Sequence, residues 1–303
     1  MRSSVKHNEP LAPYTTWHVG GNAEYYYRLQ DIEDLSAFLK EIPPKLPITW
    51  LGLGSNVLIS DHGLPGVVIH CLSSGIKTTP AQEENLCVLP DNPCIVKAYA
   101  HIPSAKLAKF CVKQGLVGGE FFAGIPGTVG GALMMNAGAW GSETWQYVVG
   151  VEVINRWGER TRRDPKEYQI GYRHVSLLEN REEWFVAGYF QFTKDNTIEA
   201  QAKIKSLLKI RNEKQPIGVF SGGSVFMNPY PHYAGQLIES AGLKGLVVGD
   251  AEVSMKHANF IVNRGNASAN DIWQLIKRIQ QVVKDNYNVE LKTEVKMLGN
   301  FIS

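Results

Sequence analysis

At 303 residues the chain is too long for one small core and long enough for two or three ordinary domains. Hydrophobic residues make up 44% and charged residues 20%, a globular balance that leaves disorder expected only in the polar first ten residues. The formal net charge of +2 argues against nucleic acid or an anionic membrane as the main partner.

Residues 1–10 lack the apolar stretch of a signal peptide, so a cytoplasmic protein is expected. Short apolar runs separated by turn residues follow. A strand is predicted over 25–29, and a helix over 31–42 with Ile32, Leu35, Phe38 and Leu39 on one face; Pro43, Pro44 and Pro47 stop it. Strands are predicted over 49–53, 57–60 and 67–71, then a loop near 73–85, then strands over 86–89 and 95–98. Ser104 is expected to cap a helix that carries Leu107, Ala108 and Cys111. The longest uncharged run, 121–142, holds six glycines and Pro126, so it reads as backbone-rich loop rather than a membrane helix. Cys71, Cys87, Cys94 and Cys111 show no CxxC spacing; reduced thiols are expected, and no metal site.

Strands over 148–155 and 184–192 flank a polar connection that starts at 156–164. A helix over 198–213 leads through 218–223, a hinge, into a strand over 224–227, a helix over 233–241 and a strand over 259–262. The clearest helix is 270–286, where Ile272, Leu275, Ile276, Ile279, Val282 and Val283 keep a 3.6-residue period. A strand over 292–298 closes the chain.

Chemistry first suggests itself at the glycines. Gly20-Gly21, Gly52-Leu53-Gly54-Ser55-Asn56 and Gly124-Ile125-Pro126-Gly127-Thr128-Val129-Gly130-Gly131 stand between apolar runs. Glycine lets backbone N–H groups approach an anion closely. None of the three has the Rossmann or P-loop form, and each alone is an ordinary tight turn. Two such loops flanked by strands point to a large ligand with two phosphates held mainly by backbone.

These residues carry a resemblance. The stretch from Thr15 to Ala23, Gly52 to Ser60 with Asp61, and Gly124 to Asn136 running on to Glu143 look like the flavin-binding half of the UDP-N-acetylenolpyruvoylglucosamine reductases. Gly223-Ser224-Val225-Phe226-Met227-Asn228-Pro229 is similar to that family's active-site loop, and Lys256 to Asn263 to another of its motifs. The resemblance spans about Thr15 to Gly299. It implies an α+β fold: a two-part FAD-binding module of the vanillyl-alcohol-oxidase (PCMH) type, 1–73 and 74–213, then a C-terminal α+β substrate-binding domain, 214–303. The compact span from Tyr172 to Ser224 resembles the shorter, second type of the family. FAD is expected to be bound non-covalently, with NADPH as co-substrate.

The activity so implied converts UDP-N-acetylenolpyruvoylglucosamine to UDP-N-acetylmuramate in peptidoglycan precursor synthesis. A hydride from reduced FAD goes to the enolpyruvyl C3, and a proton to C2. Arg173 matches the family arginine that stabilises the charge on the carboxylate side, a task suited to a guanidinium that never loses its proton. Ser224 matches the proton donor, and Glu294 the catalytic glutamate. Alone, each has a plainer reading: a surface salt bridge, a turn residue, an outward-facing strand carboxylate. Lys214 matches a lysine near the diphosphate, and Asn228 and Tyr172 substrate contacts. The chain departs from the family at Met227, where Lys is common, at Gly119, and at Ala98-Tyr99-Ala100-His101, where an Ala-Gly-Ala-Gly loop is usual. Two other functions stay open at this point: a different FAD oxidoreductase of the same fold, and a non-catalytic flavin- or UDP-sugar-binding protein. The implied partners are small molecules; oligomeric state is not legible.

Overall fold

The computed structural model describes residues 4–29, 32–72, 86–89, 92–179 and 181–301. The expected loop at 73–85 and the expected boundary between 73 and 74 lie outside the described residues.

The first sheet has four strands. Lys6–Pro10 lies antiparallel to Asn22–Arg28, which runs parallel to Leu64–His70, itself parallel to Ile48–Leu51. Residues 6–10 were expected to be disordered; ladder bonds to Asn22–Arg28 order them, a pairing their polar composition does not announce. Helix α1 (Ile32–Glu41) closes one face of the sheet, with Leu35, Phe38 and Leu39 buried against Tyr27, Val67 and Ile69.

The second sheet is antiparallel throughout, in the order Arg160–Arg163, Val148–Asn155, Glu183–Gln191, Asn92–Tyr99, Leu86–Leu89. Packed around it are α2 (Ser104–Lys113) and α3 (Val129–Met134), joined by Ala200, Ile204 and Leu208 of α4 (Thr197–Lys214), around a core that includes Phe122, Leu133 and Phe190. Two expectations change here. Ser104 is inside α2, not its cap, because Pro103 takes that position. The run 121–142 is not all loop, since it contains α3 and a 3-10 turn, Glu120–Gly124. Thr128 starts α3 by accepting a hydrogen bond from Gly131 N at 3.4 Å, and packing on the sheet outweighs the low helix propensity of two glycines.

The third sheet runs Phe220–Ser221, Ile261–Asn263, Ala251–Val253, Val247–Val248, covered by α5 (Ala234–Ser240) and α6 (Ala269–Tyr287). The apolar stripe of α6 buries Ile272, Leu275, Ile276, Ile279 and Val283. The expected strand at 224–227 is not a ladder strand. The Asn259 side chain takes the ladder's place, with Oδ1 accepting from Phe226 N at 2.9 Å and Nδ2 donating to Phe226 O at 2.8 Å. On the other side Met227 N donates to Lys292 O, and Glu294 N to Val225 O, so residues 224–227 and 292–294 lie side by side.

The last strand, Lys296–Leu298, leaves the third sheet and pairs in parallel with Val57–Ile59. Trp17 does the reverse: fully buried in the third core, it donates from Nε1 to Ile261 O at 2.8 Å. Two crossed-over segments therefore hold the chain's ends against each other, and the candidate site lies between them.

Candidate active site

Both main glycine loops line one cavity of about 650 Å³. Gly52, Leu53, Gly54, Ser55 and Asn56 form part of its wall, and Gly124, Ile125, Pro126, Gly127, Thr128, Gly130 and Gly131 another part. A hydrogen bond from Ser55 Oγ to Pro126 O, 3.2 Å, ties the two loops together. Gly54 is required by its backbone: φ is +66°, and a Cβ there would stand 2.1 Å from Tyr14 O. The N–H groups of Gly54, Ser55, Asn56, Gly127 and Thr128 meet no acceptor among the described residues. Unpaired amides on two loops that line one cavity suit the diphosphate of a dinucleotide such as FAD.

The same cavity receives Arg173, Ser224, Glu294 and Lys214. Arg173 sits at the tip of a hairpin that the sequence reading missed, Tyr168–Gly171 with His174–Leu177. Its φ of +54° is a conformation that side chains larger than glycine rarely adopt, and several side-chain contacts, one of them from Nη1 to Asn136 O at 3.5 Å, accompany it. Arg173 Nε donates to Glu294 Oε1 at 2.8 Å, Nη2 to Gly138 O at 3.2 Å, and the guanidinium lies 5.0 Å from the Tyr172 ring. Asn136 is the hub below: Nδ2 donates to Gly171 O at 3.1 Å and to Glu143 Oε2 at 2.9 Å, and Oδ1 accepts from Trp145 N at 3.0 Å.

The Arg173 and Glu294 side chains are 16% and 17% exposed. Burial raises the Glu294 carboxyl above its usual range, and the nearby guanidinium, by its charge and its hydrogen bond, opposes that rise. Ser224 follows Gly222-Gly223. Gly222 passes so close to Trp17 that a Cβ would lie 2.5 Å from its ring. Ser224 also lines a second depression, of about 530 Å³, with Asn228, Tyr233, Lys256 and His257.

Not every candidate meets in one place. Tyr172 is 47% exposed and outside the cavity lining, touching it only through Arg173. Asn228 is in the second depression, where Oδ1 accepts from Ala234 N at 3.0 Å and so starts α5. Asp61, part of the flavin-side resemblance, faces away from the loops. Its carboxylate accepts from Ala269 N and Asn270 N, both at 2.9 Å, at the start of α6.

Other cavity residues were given no role from sequence: Arg211, Arg181, His101 and Trp140. Arg211 is one helical turn before Lys214 on α4, and burial lowers its pKa. That i, i+3 spacing was the available signal.

Fold and site define a flavin-binding protein in which a charged cluster faces the cofactor cavity. A family model described as FAD binding domain matches residues 23–163, and one described as UDP-N-acetylenolpyruvoylglucosamine reductase, C-terminal domain, matches 215–298. A UDP-N-acetylenolpyruvoylglucosamine reductase of Coxiella burnetii is 51% identical over 309 residues, 99% of this chain and 97% of that protein. One from Thiobacillus denitrificans is 45% identical over 304 residues, 99% and 93% of the two chains. The crystal structure of UDP-N-acetylenolpyruvylglucosamine reductase (MurB) from Thermus caldophilus superposes with a TM-score of 0.79 at 30% identity, covering 99% of this chain and 100% of that one. The chain belongs to the UDP-N-acetylenolpyruvoylglucosamine reductase family.

Proposed function

We propose that this chain reduces UDP-N-acetylenolpyruvoylglucosamine to UDP-N-acetylmuramate for peptidoglycan synthesis, with FAD as cofactor, NADPH as co-substrate and Arg173, Ser224 and Glu294 as catalytic groups. The observation that carries this reading is the approach of those three side chains to the cavity that the two glycine loops line. Gly52 to Asn56 and Gly124 to Gly131 hold the cofactor non-covalently. Bound FAD supplies a hydride taken from NADPH. The other steps fall to side chains.

As C3 of the enolpyruvyl group gains a hydride, negative charge grows on the carboxylate side. The Arg173 fork faces that charge, and Glu294, its pKa raised by burial, shares a proton or hydrogen bond with the same oxygens. Ser224 Oγ gives a proton to C2. A hydroxyl is a weak acid, adequate only for a carbon as basic as this one. Lys214 and Arg211 bring positive charge for the diphosphate, and the substrate passes Ser224 into the depression holding Asn228 and Lys256. Tyr172 bears on the substrate by backing Arg173. The working units are 1–73 and 74–213 for flavin and 214–303 for substrate.

Ion pairing alone would not favour this reading over another flavin oxidoreductase; the Ser224 and Glu294 segments, contributed by the third sheet's side, do. Three additions test it. The protein with FAD is yellow, NADPH without oxygen bleaches it, and the UDP-enolpyruvyl sugar restores the colour. A bleached protein that the sugar leaves colourless would overturn the assignment.

A further inference from the structure

His101 is 1% exposed, lines the cavity, and has no hydrogen-bond partner on either ring nitrogen among the described residues. Of the two nitrogens, Nδ1 is the one walled in completely. A neutral imidazole carries a single N–H, and burying a donor without a partner costs more than burying a lone pair. The proton therefore belongs on Nε2, the nitrogen that is not walled in, on a residue that lines the cavity. Burial, helped by the charge of Lys106, keeps the ring neutral by lowering its pKa to about 4.

The surrounding backbone places His101 beside the second glycine loop. Residues 100–104 run beside 127–130: Gly130 N donates to Ala100 O at 2.8 Å, Val129 N to Ile102 O at 2.8 Å, and Ser104 N to Gly127 O at 3.0 Å. With Pro103 paired to Thr128, His101 lies opposite Gly130, on the same strip of backbone that carries the unpaired amides of Gly127 and Thr128, and its ring is stacked 5.9 Å from Tyr99. We propose that His101 donates a hydrogen bond to the diphosphate of bound FAD, a side-chain contact in a cradle otherwise made of backbone. It depends on the flavin cavity and not on the roles of Arg173, Ser224 and Glu294.

The test uses the full chain stripped of flavin, titrated with FAD and with riboflavin, which lacks phosphate, and followed by flavin fluorescence. His101→Ala is expected to weaken FAD about tenfold or more, the usual loss for a bond to a charged acceptor, and to leave riboflavin unchanged. His101→Asn, which keeps an N–H donor, recovers part of the FAD affinity. Unchanged FAD affinity in His101→Ala would overturn the proposal. So would an equal loss for FAD and riboflavin, since that marks a ring contact or a packing role. Neither result bears on the catalytic groups, whose half-reactions are read at saturating FAD.

Discussion

Arg173 and Glu294 come from positions 121 residues apart and still meet at 2.8 Å. They were singled out in the sequence only through the family resemblance, since alone each reads as an ordinary surface charge. The turn that aims Arg173 was not legible, since a φ of +54° on arginine follows from Asn136 and Gly138 rather than from local propensity. Other polar groups are buried for structural reasons. His70, 2% exposed, bonds to the Tyr26 hydroxyl through Nδ1 at 2.6 Å, and burial lowers its pKa to about 4. In the unfolded chain it titrates near 6.5. Between those values the unfolded state binds more protons, so stability is lost as pH falls from about 6.5 toward 4. Urea unfolding of His70→Gln at pH 7 and pH 5 should show the difference between the two conditions shrink by about 2 kcal/mol relative to the unsubstituted protein. An unchanged difference would mean that the ring is not held neutral.

Elements with a strong period were read well. Helix α6 begins one residue before its expected start at 270 and ends one residue past its expected end at 286, because its apolar stripe and its burial agree. Short elements that depend on partners far away in sequence were not legible: Lys6–Pro10, the Arg173 hairpin, and residues 224–227, where an asparagine side chain replaces a strand. Asp61 shows the same limit, since its motif suggested flavin and its carboxylate caps α6 alongside Ser268. Asp61→Ala removes two charge-assisted bonds at a helix N-terminus and should lower stability by about 2 kcal/mol in thermal or urea unfolding. FAD affinity should stay within about twofold, a shift of under 0.5 kcal/mol. A large loss of flavin binding with unchanged stability would return Asp61 to the cofactor site.

At the scale of the molecule, the cofactor cavity is walled by loops from separate sheets, and crossed segments lock the third unit onto the first. A ligand that bridges such walls binds the folded chain alone. FAD at a hundred times its dissociation constant should therefore stabilise the protein by about 2.7 kcal/mol, visible as a rise in the unfolding midpoint. The α+β class and the order of the units were readable from punctuation and motifs. The return of Lys296–Leu298 to Val57–Ile59 was not, because a three-residue strand carries too little pattern to name its partner. That return is what sets Glu294 opposite the flavin loops, and with it the reading of Ser224 as proton donor. The decisive measurement separates the half-reactions of Ser224→Ala by stopped flow. NADPH should bleach the flavin at the unsubstituted rate, while reoxidation by the UDP-enolpyruvyl sugar slows by more than about 100-fold, as for a lost general acid. Equal slowing of both steps, or of neither, would contradict the assignment.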